Sequence, residues 1–154
     1  MIGENNMPFE TLYNQLLSTA DEDFYLIETD FFTALASIPT EKRPVCVTAF
    51  LAISNWCGTS LRSGVWTFYE VCNVEEIESV HQYLKENGAE EMATVLALGI
   101  HDYQNPKYAE NLDYPEEWIE EADKIDLWIN DNHKCIVEWE FKLLMDNREL
   151  ICSL

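Results

Sequence analysis

The side chains of this 154-residue chain that could do chemistry are three histidines, five cysteines, a scatter of hydroxyls and 29 acids. His81, His101 and His133 form neither an H-x-x-x-H nor an H-E-x-x-H spacing, so no two imidazoles are aimed at one metal. His101-Asp102 has the form of a metal-dependent phosphohydrolase pair, but that centre needs further His and Asp ligands and would draw an anionic substrate into an anionic protein. His81 falls on an apolar helical face and reads as a hydrogen-bonded core histidine. Cys46, Cys57, Cys72, Cys135 and Cys152 are odd in number, irregularly spaced and without a C-x-x-C pair. That pattern argues against a disulfide framework or structural zinc and for buried or idle thiols. Ser60, Ser63 and Thr67 lie near Gly64 without a G-x-S-x-G elbow, and the glycines are too sparse to cradle a phosphate. No catalytic residue, metal ligand or cofactor is assigned, and the chain reads as non-enzymatic.

The acids are a different matter, because their distribution is uneven. Against them stand only 9 Lys and Arg, for a formal charge of −20. From Glu110 to Asp131 there are nine acids and one base, Lys124; from Glu70 to Glu91, seven acids and only Lys85; from Glu10 to Asp30, six acids and no base. Asp113, Glu117 and Glu121 form one i, i+4 column and Glu116 with Glu120 its neighbour, expected opposite a Trp118 stripe. On a helix, i to i+4 advances about 6 Å, close to two nucleotide steps of about 3.4 Å along one DNA strand. Such a column can imitate a row of phosphates. Unrelieved like charges at this spacing cost roughly 0.2–0.5 kcal/mol per pair, so stability alone does not account for them. The bland reading is solubility, since acidic surfaces resist aggregation.

The elements that must hold these acids follow from apolar periodicity. Phe9, Leu12, Tyr13, Leu16 and Leu17 mark a first helix; Phe24, Ile27, Phe31, Ala34, Leu35 and Ile38, preceded by cap-type residues and closed by Pro39, mark a second. Val45, Ala49, Ala52, Ile53 and Trp56 form a third stripe, interrupted at Gly58-Thr59-Ser60, and a short aromatic segment follows over Val65 to Val71. Asn73-x-x-Glu76 reads as a capping box before Ile77, Val80, His81 and Leu84, with Gly88 as the left-handed residue closing that helix. The next helix carries Met92, Ala93, Leu96, Ile100 and Tyr103 as far as Asn105-Pro106. The longest connection runs from Gln104 to Tyr114. Asp113, with Pro115 and Glu116, opens a helix whose inner face is Trp118, Ala122, Ile125 and Ile129. Beyond Asn132, Val137, Trp139, Phe141 and Leu143 alternate as in a strand, while Val137, Phe141 and Leu144 fit a helix. Helix is favoured there because a lone strand would have no partner.

These readings give an all-α, single-domain bundle over residues 1–154 with about seven or eight helices, its C-terminal segment helix or strand. At 47% apolar and 12% aromatic, the chain can fill one core and is unlike an acidic disordered tail. The charge leaves no material for a basic patch, so direct nucleic-acid binding and docking on anionic lipid are set aside. Met1 to Glu10 holds no apolar run of signal-peptide length, and no stretch has the roughly 18 apolar residues of a membrane span. A cytoplasmic protein is expected.

Leu61-Arg62-Ser63-Gly64-Val65-Trp66-Thr67-Phe68-Tyr69-Glu70 and Tyr83-Leu84-Lys85-Glu86-Asn87-Gly88-Ala89-Glu90-Glu91-Met92-Ala93 resemble the bacterial DNA-mimic protein family of the DMP type. Ile125-Asp126-Leu127-Trp128-Ile129 looks like that family's closing aromatic-aliphatic helix, and the likeness spans roughly Val45 to His133. Ser63-Gly64-Val65 stands where many relatives have Asn-Gly-Gly. The resemblance implies an all-helical homodimer that presents carboxylates as duplex phosphates and occupies the DNA-binding face of a helix-turn-helix repressor. The phosphate surrogates would be Glu110, Asp113, Glu116, Glu117, Glu120, Glu121 and Asp123. Glu75, Glu76, Glu78, Glu90 and Glu91 would extend that surface, as would Asp21, Glu22, Asp23, Glu28 and Asp30. Two other classes remain open at this point: an immunity or antitoxin-like inhibitor of a basic toxin enzyme, and a small metal-dependent hydrolase using His101 and Asp102.

Overall fold

The helix Val45–Ser63 has apolar residues around so much of its circumference that only a central position can bury it, and Val47, Ala49, Phe50, Ile53 and Trp56 are all removed from solvent. The computed structural model describes residues 7–154, apart from the side chains of Met7, Pro8 and Asp21. Its helices are α1 (Met7–Ser18), α2 (Phe24–Ala36), α3 (Val45–Ser63), α4 (Trp66–Val71), α5 (Val74–Glu86), α6 (Glu90–Leu98), α7 (Pro106–Ala109), α8 (Glu116–Asp131), α9 (His133–Asp146) and α10 (Arg148–Cys152), with 3-10 turns at Asp21–Asp23 and Thr40–Lys42. No strand occurs among the described residues. The count exceeds the expected seven or eight because α4, α7 and α10 are short helices in what the sequence presents as connections or tail.

α3 packs against α2, α4, α5, α8 and α9, so it forms the axis of one continuous core. α5 and α6 make an antiparallel pair, and α6 in turn lies against α8. α1 and α2 form the opposite layer, tied to the C-terminal segment where the Tyr13 hydroxyl donates to the Leu144 carbonyl at 2.6 Å. Two polar links hold the centre together. The Tyr69 hydroxyl accepts from Trp56 Nε1 at 2.9 Å and donates to the Leu96 carbonyl at 2.7 Å, joining α3, α4 and α6 through one buried oxygen. Where the chain turns from α3 into α4, Gly64 adopts φ +96°, a conformation that L side chains rarely adopt.

Several expected boundaries move. α3 continues straight through Gly58, where an added Cβ would meet nothing within 4 Å, and stops only at Gly64. α6 ends at Leu98 rather than reaching Tyr103, with Gly99 as its C-cap; the backbone there lies against the Tyr69 ring, with no room for a side chain. The Asn73 and Gly88 signals hold: Asn73 Oδ1 accepts from the Glu76 amide, and Gly88 takes φ +78° while the Ala89 amide reaches back to the Leu84 carbonyl. α8 begins at Glu116, with Pro115 extended at ψ 140°, so Asp113 precedes the helix instead of opening it.

The ambiguous C-terminal stretch is helical. Ile136, Glu140, Leu143 and Leu144 are the buried positions of α9, a spacing of four, three and one that only a helix places on one face. One of those positions is a carboxylic acid, which masks the stripe in the sequence and leaves the accidental alternation of Val137, Trp139 and Phe141 more visible.

Candidate functional site

α8 is held by Ala122, Ile125 and Ile129 in the core, and Trp118 and Trp128 pack beside them half-buried. Its remaining circumference carries most of the acids, together with exposed Ile119, Lys124, Leu127 and Asn130. Glu116, Glu117, Glu120 and Asp123 are exposed, as are Glu110 and Asp113 in the preceding segment. Among the described residues, the one salt bridge from a Lys or Arg is Lys142 with Asp146 on α9, so none of these six carboxylates has a basic partner within 4.0 Å.

The remaining acids of this run have other attachments. Glu121 is half-buried rather than opposite the Trp118 stripe: its Oε1 lies 3.1 Å from His101 Nε2, and the His101 ring stacks on Trp118 with centroids 4.7 Å apart and planes 8° from parallel. Three residues along a helix is a turn of only about 60° from Trp118, which is why Glu121 flanks that face. Asp126 is structural. Its Oδ1 accepts from the Ser60 hydroxyl at 2.6 Å and from the Val65 amide at 2.9 Å, closing the α3–α4 turn.

The acids assigned to other segments divide similarly. Glu75 and Glu78 on α5 and Glu90 on α6 are exposed, while Glu76 is half-buried. Glu75 and Glu76 lie in the first turn of α5, Glu90 and Glu91 in that of α6, and Glu116 and Glu117 in that of α8. There the helix macrodipole favours a carboxylate by about 0.3–1 kcal/mol, so these six have a local stabilising role as well. Glu120 and Asp123, deeper in α8, have none. Glu91 Oε1 accepts from Trp128 Nε1 at 3.0 Å, which sets the start of α6 beside the later turns of α8. Glu22, Asp23 and Asp30 are exposed around α2, in the layer formed with α1, away from the α6–α8 contact. The side chain of Asp21 lies outside the described ones.

Glu28 does not belong with the exposed acids. It is half-buried against Glu140 of α9, whose side chain is only 1% exposed and whose Oε2 has no hydrogen-bond partner as an ionised acceptor. Burial first, then the hydrogen bond and charge of Glu28, push the Glu140 carboxyl well above the ordinary carboxylate range. The charged form of Glu140 is thus the disfavoured one, and a proton held in this pair would supply the donor that two carboxylates facing each other lack.

An aromatic cup adjoins α8, and the sequence reading did not assign it a role. Trp66, Tyr103, Leu112, Tyr114, Ile119 and Asp123 line a cavity of about 240 Å³. Tyr103 and Tyr114 lie 5.0 Å apart at 68°, and Trp66 and Tyr114 6.3 Å apart at 55°. The Tyr114 hydroxyl donates to Glu70 Oε2. Loss of hydration, then this bond and the Glu70 charge, push the Tyr114 phenol up to about 12. Loss of hydration, then the charges of Glu121 and Glu70, bring Tyr103 to about 12 as well. A signal for this cluster was present in the density of aromatics across the 103–118 segment, outside any single helical stripe.

The remaining candidates gather no comparable set. His81 is half-buried rather than fully in the core. Asp102 is exposed and accepts from Asn105 Nδ2, while His101 turns to Glu121. Among the described residues, no three His, Cys, Asp or Glu side chains converge as metal ligands. The five cysteines are free. Burial is the leading cause that pushes the Cys46, Cys57, Cys72 and Cys152 thiols up, Cys57 to about 12, which keeps them from acting as thiolate nucleophiles. No described helix is long and apolar enough to cross a membrane.

No family model matches this chain, and no curated protein or solved structure matches it either.

Proposed function

We propose that this chain is a non-enzymatic DNA mimic that occupies the DNA-binding surface of a basic protein, with a helix-turn-helix transcriptional repressor as the partner class and the cytoplasm as its place of action. The observation that carries the reading is the set of exposed acids on and before α8 that, among the described residues, no Lys or Arg contacts within 4.0 Å, Lys124 being the one base in the run. A rigid helix fixes the separation of its carboxylates, so a partner's Lys and Arg meet charges already in place, as they do on duplex DNA. The α6 acids beside the later turns of α8 lengthen the anionic strip. A homodimer would present two strips, matching a twofold repressor that reads two half-sites.

The test is affinity capture from DNA-free cytosol, identification of the captured protein, and competition with that protein's operator over a salt series. Displacement of operator, weakening steeply as salt rises, is the expected result. Recovery of no basic DNA-binding protein, or binding indifferent to ionic strength, overturns the reading.

A further inference from the structure

The cup beside α8 has the wrong size for a metabolite and the wrong lining for an anion. Its volume of about 240 Å³ falls below the roughly 300–1,000 Å³ of pockets that enclose drug-sized ligands, so it suits one side-chain head. Trp66, Tyr103 and Tyr114 line it, and Trp66, half-buried, is the most open of the three rings, Tyr103 and Tyr114 being 2% and 9% exposed. The one charged lining residue is Asp123, and Glu70 stands behind the Tyr114 hydroxyl it accepts from. Ring faces backed by anions attract a cation.

We propose that this cup receives the guanidinium of an arginine side chain carried by a basic protein partner. The source of the arginine rests on the DNA-mimic reading; the chemistry of the cup does not. A guanidinium is planar and weakly hydrated, so it stacks on Trp66 while its N–H fork stays free for the Asp123 carboxylate, whereas an ammonium would give up a strong hydration shell to enter. Leu112 and Ile119, 62% and 51% exposed at the rim, offer apolar surface for the three methylenes behind the head group. Leu112 holds this rim with a left-handed φ of +53°, uncommon for a side chain of its size.

The experiment follows the tryptophan indole N–H signals of the full chain by NMR while N-acetyl-arginine methylamide is added. N-acetyl-citrulline methylamide, equal in shape but uncharged, is the control. Trp66 is expected to shift and saturate with the arginine probe, with citrulline about tenfold weaker, the ratio that about 1.4 kcal/mol of cation–π and ion-pair attraction gives. Asp123→Asn, at an exposed position that leaves the fold intact, should weaken the arginine probe alone. Equal binding of citrulline, or an unmoved Trp66 signal, overturns the proposal. An apolar probe, N-acetyl-leucine methylamide, that binds as tightly as arginine overturns it in favour of an apolar occupant. Failure here with salt-steep partner binding intact removes the cup and leaves the mimic reading; success here without any captured DNA-binding protein does the reverse.

Discussion

The Asp126 carboxylate accepts a hydrogen bond from the Val65 amide across 2.9 Å, and a second from Ser60 on the same oxygen. One acid in the densest anionic stretch of the chain thus belongs to the fold. Its position in the sequence is indistinguishable from that of its exposed neighbours. Asp126→Ala should cost about 2–3 kcal/mol, because the charge-assisted bonds are lost and a half-buried amide and hydroxyl are left unpaired. Glu120→Gln, exposed and one turn from Glu116, should instead gain about 0.2–0.5 kcal/mol through relief of like-charge repulsion. Urea denaturation of the two variants separates structural acids from surplus ones.

Two glycines should respond oppositely to alanine. A Cβ at Gly99 would lie 2.4 Å from the Tyr69 ring and 2.9 Å from Ile125 Cδ1, and Tyr69 is anchored by Trp56 and Leu96. Gly99→Ala should therefore destabilise by about 1–3 kcal/mol or more through overpacking, with a changed near-ultraviolet dichroism signal. Gly58, within α3 and with open space around it, should gain about 0.5–1 kcal/mol on substitution by Ala. Thermal melts of both variants check the pair.

Glu140 makes stability fall as pH rises. The unfolded chain releases this proton at about 4.3, whereas the folded chain holds it to a much higher pH because of burial and Glu28. Between those two values folding takes up a proton, so each pH unit removes about 1.4 kcal/mol of stability through this group. Glu140→Gln has no proton to lose, and its stability relative to the parent should climb by about that amount per unit from pH 5 upward. A difference independent of pH would mean that Glu140 is ionised inside the fold.

Neutralising the α8 surface should weaken partner binding without harming the helix. Glu120→Gln with Asp123→Asn is expected to lower affinity and to make it less sensitive to salt. Glu117→Lys with Glu120→Lys, both exposed, should impair binding further, whereas His101→Ala should leave it intact. Titration at several ionic strengths against the captured partner distinguishes these outcomes.

Helical class and most of the core were legible in the sequence because Phe24, Ile27, Phe31 and Leu35, like Ile77, Val80 and Leu84, repeat at the helical period and meet one shared core. Boundaries decided by tertiary contact were not. Nothing local to Gly99 announces the Tyr69 ring that lies against it, and nothing local to Gly58 announces that its helix goes on. The division of acids into exposed, first-turn, bonded and buried groups was also hidden, since Glu140, Asp126 and Glu120 differ only in which neighbours the fold supplies. Trp66 and Tyr114 are far apart in sequence and share a wall only after α8 has docked beside α4.

The parallel stack of His101 on Trp118 places an imidazole directly over an indole at the edge of the anionic face. The loop between α6 and α8 is thereby fastened to α8 twice through one residue, ring against ring and ring nitrogen against carboxylate, so the border of the anionic face keeps its shape even where no apolar side chain anchors it.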